Sequence, residues 1–164
     1  MEEKIYIHWG SEEFIPKKFK KISNTFIAKP KGGLWASPEN AEYGWKEFCK
    51  DSGFNLNRLQ NSFKFKLNGG AKVLDLSSYR DFLKIPLDET KTKASSLEEI
   101  PWMPTRTGYP LDWKALVGKY DAIEINYSDF EYDTENEENS INEYPVFWDC
   151  DSICIINPEI IEML

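Results

Sequence analysis

The stretch at residues 29–37, KPKGGLWAS, places two lysines, two glycines and a tryptophan side by side. Adjacent glycines permit a tight turn, and the residues after them are typical of a strand. The segment is therefore predicted to pass from a loop into the sheet. A permissive backbone, positive charge and a large flat ring also suit one wall of a pocket for an anionic, partly aromatic ligand.

The composition predicts one domain, residues 1–164, with an apolar core. The chain is 41% hydrophobic and 15% aromatic, which is enough for a packed interior. A net charge of −8 argues against general attraction to nucleic acid. No apolar run approaches the ~20 residues that cross a bilayer, and the acidic start MEEKIYIHWG is no secretory signal. A cytoplasmic protein without membrane contact is expected.

The cysteine and histidine content argues against a metal site. Cys49, Cys150 and Cys154 lack CxxC spacing, and His8 is the only histidine. Neither a disulfide framework nor a structural zinc site fits this pattern. The carboxylates also lack the spacing of a calcium loop, so no metal is predicted.

The strand pattern predicts the fold class. Strands are expected at residues 4–10, 62–68, 71–78, 121–126 and 146–158, and the strand at 62–68 alternates apolar and charged side chains. Asn68-Gly69-Gly70 predicts a hairpin turn between the strands on either side of it. With short helices scattered between the strands, this order predicts an α+β fold built on a largely antiparallel sheet.

The helix signals are weaker than the strand signals. Ser37 as N-cap and Pro38 in the first turn predict a helix that runs to about Lys50. Asp112 and Gly118 bracket a second predicted helix at residues 110–120. A short helix is expected to follow Ser78, and residues 159–164 are predicted to close the chain with a helical turn.

One segment, residues 128–144, is strongly acidic. It contains no lysine or arginine, and its carboxylates are Asp129, Glu131, Asp133, Glu135, Glu137, Glu138 and Glu143. Such a segment is either a solvated linker or a loop that attracts a cationic partner such as a basic protein.

Three segments resemble the motifs of the ADP-ribosyltransferase superfamily, in its poly-ADP-ribose-polymerase and diphtheria-toxin branch. They are HWGS (residues 8–11), GGLWASPENAEYGW (32–45) and WDCDSICIINP (148–158). The family has a His-Gly-Thr/Ser motif, then a Gly-x-Tyr-Phe-Ala-Ser motif before a helix, then an acid near the start of a late strand. The resemblance implies a single domain with a split, largely antiparallel sheet.

This sequence departs from the family pattern at three points. Trp9 is inserted in the first motif, and Trp35 takes the tyrosine position of the second. Asp151, or Asp149 two residues before it, replaces the expected glutamate. The segment NEYPVF also resembles the family's glutamate segment, which makes Glu143 a second candidate for the acid.

The resemblance implies NAD⁺ as co-substrate and assigns roles at the site. Asp151 would stabilise the oxocarbenium-like transition state at the ribose, and Asp149 would orient the nucleophile. His8 would donate a hydrogen bond to a ribose hydroxyl. Gly32 would join the glycine turn, and Lys29 with Lys31 would meet the pyrophosphate. The remaining implied cofactor contacts come from Trp9, Gly10, Gly33, Trp35, Ser37, Tyr43 and Trp45.

The implied function is mono-ADP-ribosyl transfer to a macromolecular acceptor, with a basic protein favoured over nucleic acid by the acidic segment. Compact domains of this kind suit bacterial or phage toxins and effectors, with an antitoxin or immunity protein as a further partner. Two alternatives stay open: an NAD glycohydrolase that uses water, and a non-catalytic pocket or acidic module that inhibits a basic partner. Simpler interpretations stay open for single residues too, with His8 and Trp35 as structural residues and the aspartates on a solvated face.

Overall fold

The computed structural model of the chain describes residues 4–25, 29–90, 110–131 and 148–164. The strands in this part of the chain are β1 (Ile5–Trp9), β2 (Leu34–Pro38), β3 (Ser62–Leu67), β4 (Val73–Leu76), β5 (Ala122–Ile125), β6 (Ser152–Ile155) and β7 (Ile161–Met163). They form one sheet in the order β4-β5-β6-β2-β1-β3-β7. Only the β4–β5 pair is parallel among the pairs described. The predicted α+β class and largely antiparallel sheet are confirmed.

Helices are few and short in the described residues. They are α1 (Trp45–Ser52), α2 (Tyr79–Phe82) and single 3₁₀ turns at Pro16–Lys18, Leu56–Gln60, Trp113–Leu116 and Pro158–Ile160. None of the described helices is long and apolar enough to cross a membrane.

Strand β2 pairs along different residues on its two sides. Leu34, Trp35 and Ala36 pair with β6 on one side. On the other side, pairing with β1 is confined to Tyr6 with Pro38 and Ile7 with Ser37. Beyond Ile7 the two strands no longer pair, although β1 stays paired with β3 along its whole length. We call the place where β1 and β2 separate the fork.

Two apolar clusters cover the two faces of the sheet. Successive side chains of a strand point to opposite faces, so Trp35 packs against one cluster and Ala36 belongs to the other. The cluster on the Trp35 side includes the buried rings of Trp113 and Trp148. The cluster on the Ala36 side includes Phe65. The fork therefore lies at the border of a well-packed core.

The predicted hairpin between β3 and β4 is wrong. Asn68 does form a turn, since its Oδ1 accepts from Gly70 N at 3.2 Å and its carbonyl accepts from Ala71 N at 3.1 Å. However, β3 pairs with β1 and β7, whereas β4 crosses to the far edge and pairs with β5. The turn residues thus reverse the chain without pairing the strands that they join.

The predicted helix from Ser37 to Lys50 begins later than expected. Ser37 and Pro38 belong to β2, because they pair with Ile7 and Tyr6, and Gly44 is the N-cap of α1. Ser37 still serves the helix, since its Oγ accepts a hydrogen bond from Trp45 N at 2.8 Å. Ser37 therefore caps the helix as predicted, but from β2 and not from the residue directly before the helix.

Two other helix predictions are also corrected. The second helix is only the 3₁₀ turn Trp113–Leu116, with Asp112 as N-cap. The end of the chain forms one 3₁₀ turn and then β7, which pairs with β3. Of the apolar residues at this end, Ile160 in the 3₁₀ turn is buried, whereas Met163 in β7 stays exposed.

Candidate functional site

A cavity of about 480 Å³ lies at the fork. This volume is within the range of about 300–1,000 Å³ that small-molecule sites occupy. Its walls come from β1, β2, the loop before β2, the start of α1, the 3₁₀ turn at Leu56–Gln60 and the entry to β6. The lining residues are Ile7, His8, Trp9, Lys29, Pro30, Lys31, Gly32, Gly33, Leu34, Trp35, Ala36, Ser37, Trp45, Asn55, Arg58, Trp148, Asp149, Cys150 and Ser152.

His8 fills the gap that the separation of the strands leaves. Its Nδ1 donates to the carbonyl oxygen of Trp35 at 2.6 Å, and its ring contacts the ring of Phe63 at 4.9 Å between centroids. Because a carbonyl can only accept, Nδ1 carries the proton, and Nε2 of the neutral ring is an acceptor.

Burial lowers the pKa of His8 below its ordinary value, and the positive charge of Arg58 acts in the same direction, against the opposing hydrogen bond to Trp35. The neutral form is therefore favoured in the folded protein. The predicted role of His8, donation of a hydrogen bond to a ligand hydroxyl, would need a proton on Nε2. With Nδ1 bonded to the Trp35 carbonyl, the neutral ring offers Nε2 as an acceptor.

The ring of Trp35 is fixed in place. Its Nε1 donates to the carbonyl of Gly32 at 2.8 Å, and its ring lies 5.1 Å from that of Trp148. Trp148 in turn lies 6.1 Å from the buried Trp113. Trp35 is thus both a core-packed side chain and a wall of the cavity, and the two interpretations of this residue do not exclude each other.

Gly32 and Gly33 are required by the chain itself. Both have positive φ, +86° and +69°. A Cβ on Gly32 would lie 2.5 Å from the carbonyl oxygen of Lys21, and one on Gly33 would lie 2.6 Å from Sγ of Cys154. The predicted reason, close approach to a ligand, is not needed to explain these glycines, although both line the cavity.

Three cations line the cavity, in a protein of net charge −8. Lys29 Nζ pairs with Asp149 Oδ2 at 2.7 Å. Lys31 is exposed, and its backbone pairs with Ser23. The third cation, Arg58, is also exposed and has no ion pair among the described residues. The lining therefore carries a surplus of positive charge that suits an anion.

Sequence reasoning missed Arg58. It lies in the 3₁₀ turn Leu56–Gln60, far along the chain from the three motifs. Gly10 leaves room for it, since a Cβ on Gly10 would lie 3.0 Å from Arg58 Nε. The available signal was that Arg58 is the only charged residue in the polar stretch 53–62.

Asp149 and Asp151 have different surroundings. Asp149 lines the cavity, and its side chain keeps 33% of its exposure. Asp151 is only 3% exposed and does not line the cavity. Both residues precede β6, which begins at Ser152, later than the strand predicted from residue 146.

Asp151 holds two loops together. It accepts hydrogen bonds from Ser128 N and Ser128 Oγ, each at 2.9 Å, and from Tyr43 N at 3.3 Å. Its own backbone N donates to the carbonyl of Tyr43 at 2.9 Å. These contacts place Asp151 as a structural carboxylate, and the acid that faces the cavity is Asp149.

The other predicted contacts divide into two groups. Trp9, Ser37 and Trp45 line the cavity, whereas Gly10 and Tyr43 do not. The ring of Trp9 is covered by the ammonium group of Lys46, 5.5 Å from its centroid. Glu143, the second candidate acid, and most of the acidic segment lie outside the described residues.

The thiol at the cavity is not a ready nucleophile. Cys150 is buried, and burial raises its pKa to about 11 despite hydrogen bonds to Ser152 and Ser37. At neutral pH it is a thiol, not a thiolate. No group of His, Cys, Asp and Glu side chains in the described part of the chain is arranged to hold a metal ion.

A second cavity of about 330 Å³ adjoins the first. The two share His8, Gly33, Leu34 and Arg58. The second one extends towards residues 10–19, with Phe14 and Lys18 among its lining. The two cavities therefore meet at the fork, where His8 and Arg58 line both of them.

Comparisons of the chain with protein-family models, curated proteins and solved structures find no match.

Proposed function

We propose that the protein is an NAD⁺-dependent mono-ADP-ribosyltransferase, which cleaves the nicotinamide–ribose bond and passes ADP-ribose to a macromolecular acceptor. An ADP-ribosyltransferase-like fold is part of this proposal. The observation that carries it is the adjacency of β1, β2 and β6, which gathers His8, Trp35 and Asp149 around one cavity. These residues come from the three segments whose order in the sequence suggested the family.

The lining suits each part of NAD⁺. The nicotinamide ring is a flat cation, and tryptophan faces attract such rings. This favours Trp35 as its neighbour, because the ammonium group of Lys46 already lies over the ring of Trp9. Arg58 and Lys31 are cations that face the cavity, so they suit the pyrophosphate. His8 Nε2 is an acceptor for a ribose hydroxyl. The volume, the aromatic walls and the surplus positive charge together fit a dinucleotide.

The chemistry requires a negative group near the ribose. When the carbon–nitrogen bond breaks, its electron pair leaves with neutral nicotinamide, and positive charge develops on the ribose ring. In the proposed reaction the Asp149 carboxylate stabilises that charge. The acceptor then adds to the anomeric carbon, and Asp149 takes its proton.

A second candidate is a pocket that binds NAD⁺ without cleaving it. The ion pair between Lys29 and Asp149, at 2.7 Å, favours this candidate because it occupies the carboxylate. An aspartate also reaches one methylene less far than the glutamate of the family. Hydrolysis by water is a third outcome of the same chemistry. The expected toxin or effector role and the antitoxin partner stay predictions.

One experiment separates these candidates. The protein is incubated with NAD⁺, free nicotinamide is measured with and without cell lysate, and NAD⁺ binding is measured by calorimetry. Release that needs lysate supports the transferase, and release without lysate supports the glycohydrolase. Binding without release supports the inactive pocket, and absence of binding overturns all three.

A matched pair of variants tests the role of Asp149. Asp149→Ala should abolish nicotinamide release. Glu39→Ala is the control, because Glu39 forms a comparable surface ion pair with Lys64 and does not line the cavity. Equal activity in the two variants would exclude Asp149 as the reacting carboxylate.

A further inference from the structure

Three aromatic rings form a surface beside the cavity that belongs to neither core cluster. Trp45 lies 5.3 Å from Phe48 and 6.0 Å from Phe54, and Phe48 lies 6.5 Å from Phe54, between ring centroids. We call Trp45, Phe48 and Phe54 the aromatic platform. Phe54 is 51% exposed, and Leu56 beside it is 50% exposed. Because Trp45 also lines the cavity, the platform borders its mouth.

The same region carries cations that form no ion pair with the described carboxylates. Lys46, Lys50 and Arg58 are exposed, and none of them has an ion pair among the described residues. Lys46 and Lys50 are four residues apart on α1, so they project on the same side of the helix.

The same region also contains two carboxylates. Glu47 Oε2 accepts from Gly44 N at 3.2 Å, and Asp51 is exposed in the last turn of α1. After α1, the stretch 53–62 has no carboxylate at all. From Trp45 to Ser62 three cations outnumber two carboxylates, so this region is slightly basic in a protein of net charge −8. Its cations without ion pairs are the groups that suit a polyanion.

We propose that the aromatic platform and its three cations bind single-stranded nucleic acid. The exposed ring of Phe54 and the half-buried rings of Trp45 and Phe48 offer stacking sites for unpaired bases, and cations beside them meet the phosphates between those bases. A duplex keeps its bases stacked, and the net charge of −8 repels its denser phosphates. As a binding site, the platform stands independently. The further idea that the platform presents an acceptor nucleotide to the cavity rests on the proposed function. In that case nucleic acid, and not the predicted basic protein, would be the acceptor.

The binding test uses fluorescence anisotropy with labelled short oligothymidylate and oligouridylate strands, in buffers of about 50 mM and about 200 mM salt. Phe54→Ala should weaken binding about tenfold, the lower part of the range for loss of one stacked base. Val117→Ala is the control, because Val117 is exposed to the same degree, 54%, and lies outside the cavity lining. It should bind like the unaltered protein.

Two variants that each remove one positive charge provide a second measurement. Arg58→Gln should reduce the slope of log affinity against log salt by about one. Lys119→Gln changes the net charge equally at an exposed site outside the cavity and should leave the slope unchanged. Thermal unfolding of each variant checks that the fold is intact.

Several results would overturn the proposal. They are the absence of oligonucleotide binding, binding that Phe54→Ala does not weaken, or binding of labelled polylysine that depends on Phe54. Nicotinamide release into water by Phe54→Ala should equal that of the unaltered protein. Absence of oligonucleotide binding by the unaltered protein, with its nicotinamide release intact, would refute only the platform, whereas Phe54-dependent binding without any release would refute only the transferase.

Discussion

Replacement of Asp149 and Asp151 by alanine should separate function from stability, although the two residues are neighbours in sequence. The Asp151 carboxylate accepts three hydrogen bonds from Ser128 and Tyr43 and is 3% exposed. Hydrogen bonds to a charged group contribute ~1.5–3 kcal/mol each. Ser128 is exposed, so water replaces part of the loss. We expect Asp151→Ala to lower the free energy of unfolding by about 3 kcal/mol.

Asp149→Ala should behave in the opposite way. Its ion pair with Lys29 leaves the two side chains 33% and 28% exposed, and ion pairs of this kind contribute only ~0.2–1 kcal/mol. If Asp149 stabilises the transition state, its loss should slow nicotinamide release by a factor of ~10²–10³.

Thermal unfolding and nicotinamide release, measured on both variants, give the answer. For a chain of this length ~1 kcal/mol corresponds to about 2–4 °C, so Asp151→Ala should lower Tm by about 6–12 °C and Asp149→Ala by no more than about 4 °C. At a temperature where both are folded, Asp151→Ala should keep most of its activity. Loss of activity in Asp151→Ala at an unchanged Tm would refute this division of roles.

Three further predictions concern His8, Arg58 and Gly33. His8 binds a proton less tightly in the folded chain than in the unfolded one. Its contribution to stability is therefore full above the ordinary pKa of about 6.5 and is lost as pH falls through the lower pKa of the folded state. In NMR the single imidazole signal should titrate below about 6.5, and a midpoint at or above that value would contradict the buried neutral ring. Arg58→Gln should raise the pKa of His8 in the same NMR titration and weaken NAD⁺ binding about tenfold in calorimetry, since a charge-assisted hydrogen bond contributes ~1.5–3 kcal/mol; an unchanged affinity would remove Arg58 from the site. In urea unfolding, Gly33→Ala should lower the free energy of unfolding by more than about 3 kcal/mol, because the added Cβ would lie 2.6 Å from Sγ of Cys154. Gly53→Ala, at φ +72° with nothing within 4 Å of its Cβ, should lower it by only ~1–2 kcal/mol. Equal losses would show that backbone strain, not the close contact, dominates at Gly33.

The strands were predictable because their patterns are local. Phe63 and Phe65 alternate with Ser62 and Lys64, and the structure buries the two rings and exposes the polar pair. The partners of each strand were not predictable in the same way. Asn68-Gly69-Gly70 has the composition of a hairpin turn, but β1 and β7 occupy the two edges of β3. The residues of a turn determine where the chain reverses. Competition among all the strands determines which strands pair with each other.

The candidate site was predictable only where the motif strands are adjacent in the sheet. His8, Trp35 and Asp149 were all named from the sequence, and they share the cavity because β6, β2 and β1 are neighbours. The choice between Asp149 and Asp151 depends on the loop of Ser128, which no pattern in the sequence reveals. Arg58 was missed because it belongs to none of the motifs and reaches the cavity only through its 3₁₀ turn.

In the proposed site, the ion pair between Lys29 and Asp149 would let one cavity hold both an acid and an anionic ligand. An unpaired carboxylate beside a pyrophosphate would weaken binding, since like charges in a partly desolvated site repel strongly. Lys29 offsets that repulsion at a distance of 2.7 Å. A cationic nicotinamide ring attracts Asp149, and the phosphates attract Lys29, so binding of NAD⁺ would favour separation of the pair. Lys29→Gln should therefore weaken NAD⁺ binding more than it slows the release of nicotinamide from bound NAD⁺. If the variant instead lost release while its affinity stayed unchanged, Lys29 would act on the chemical step, and the ion pair would be part of the reacting group.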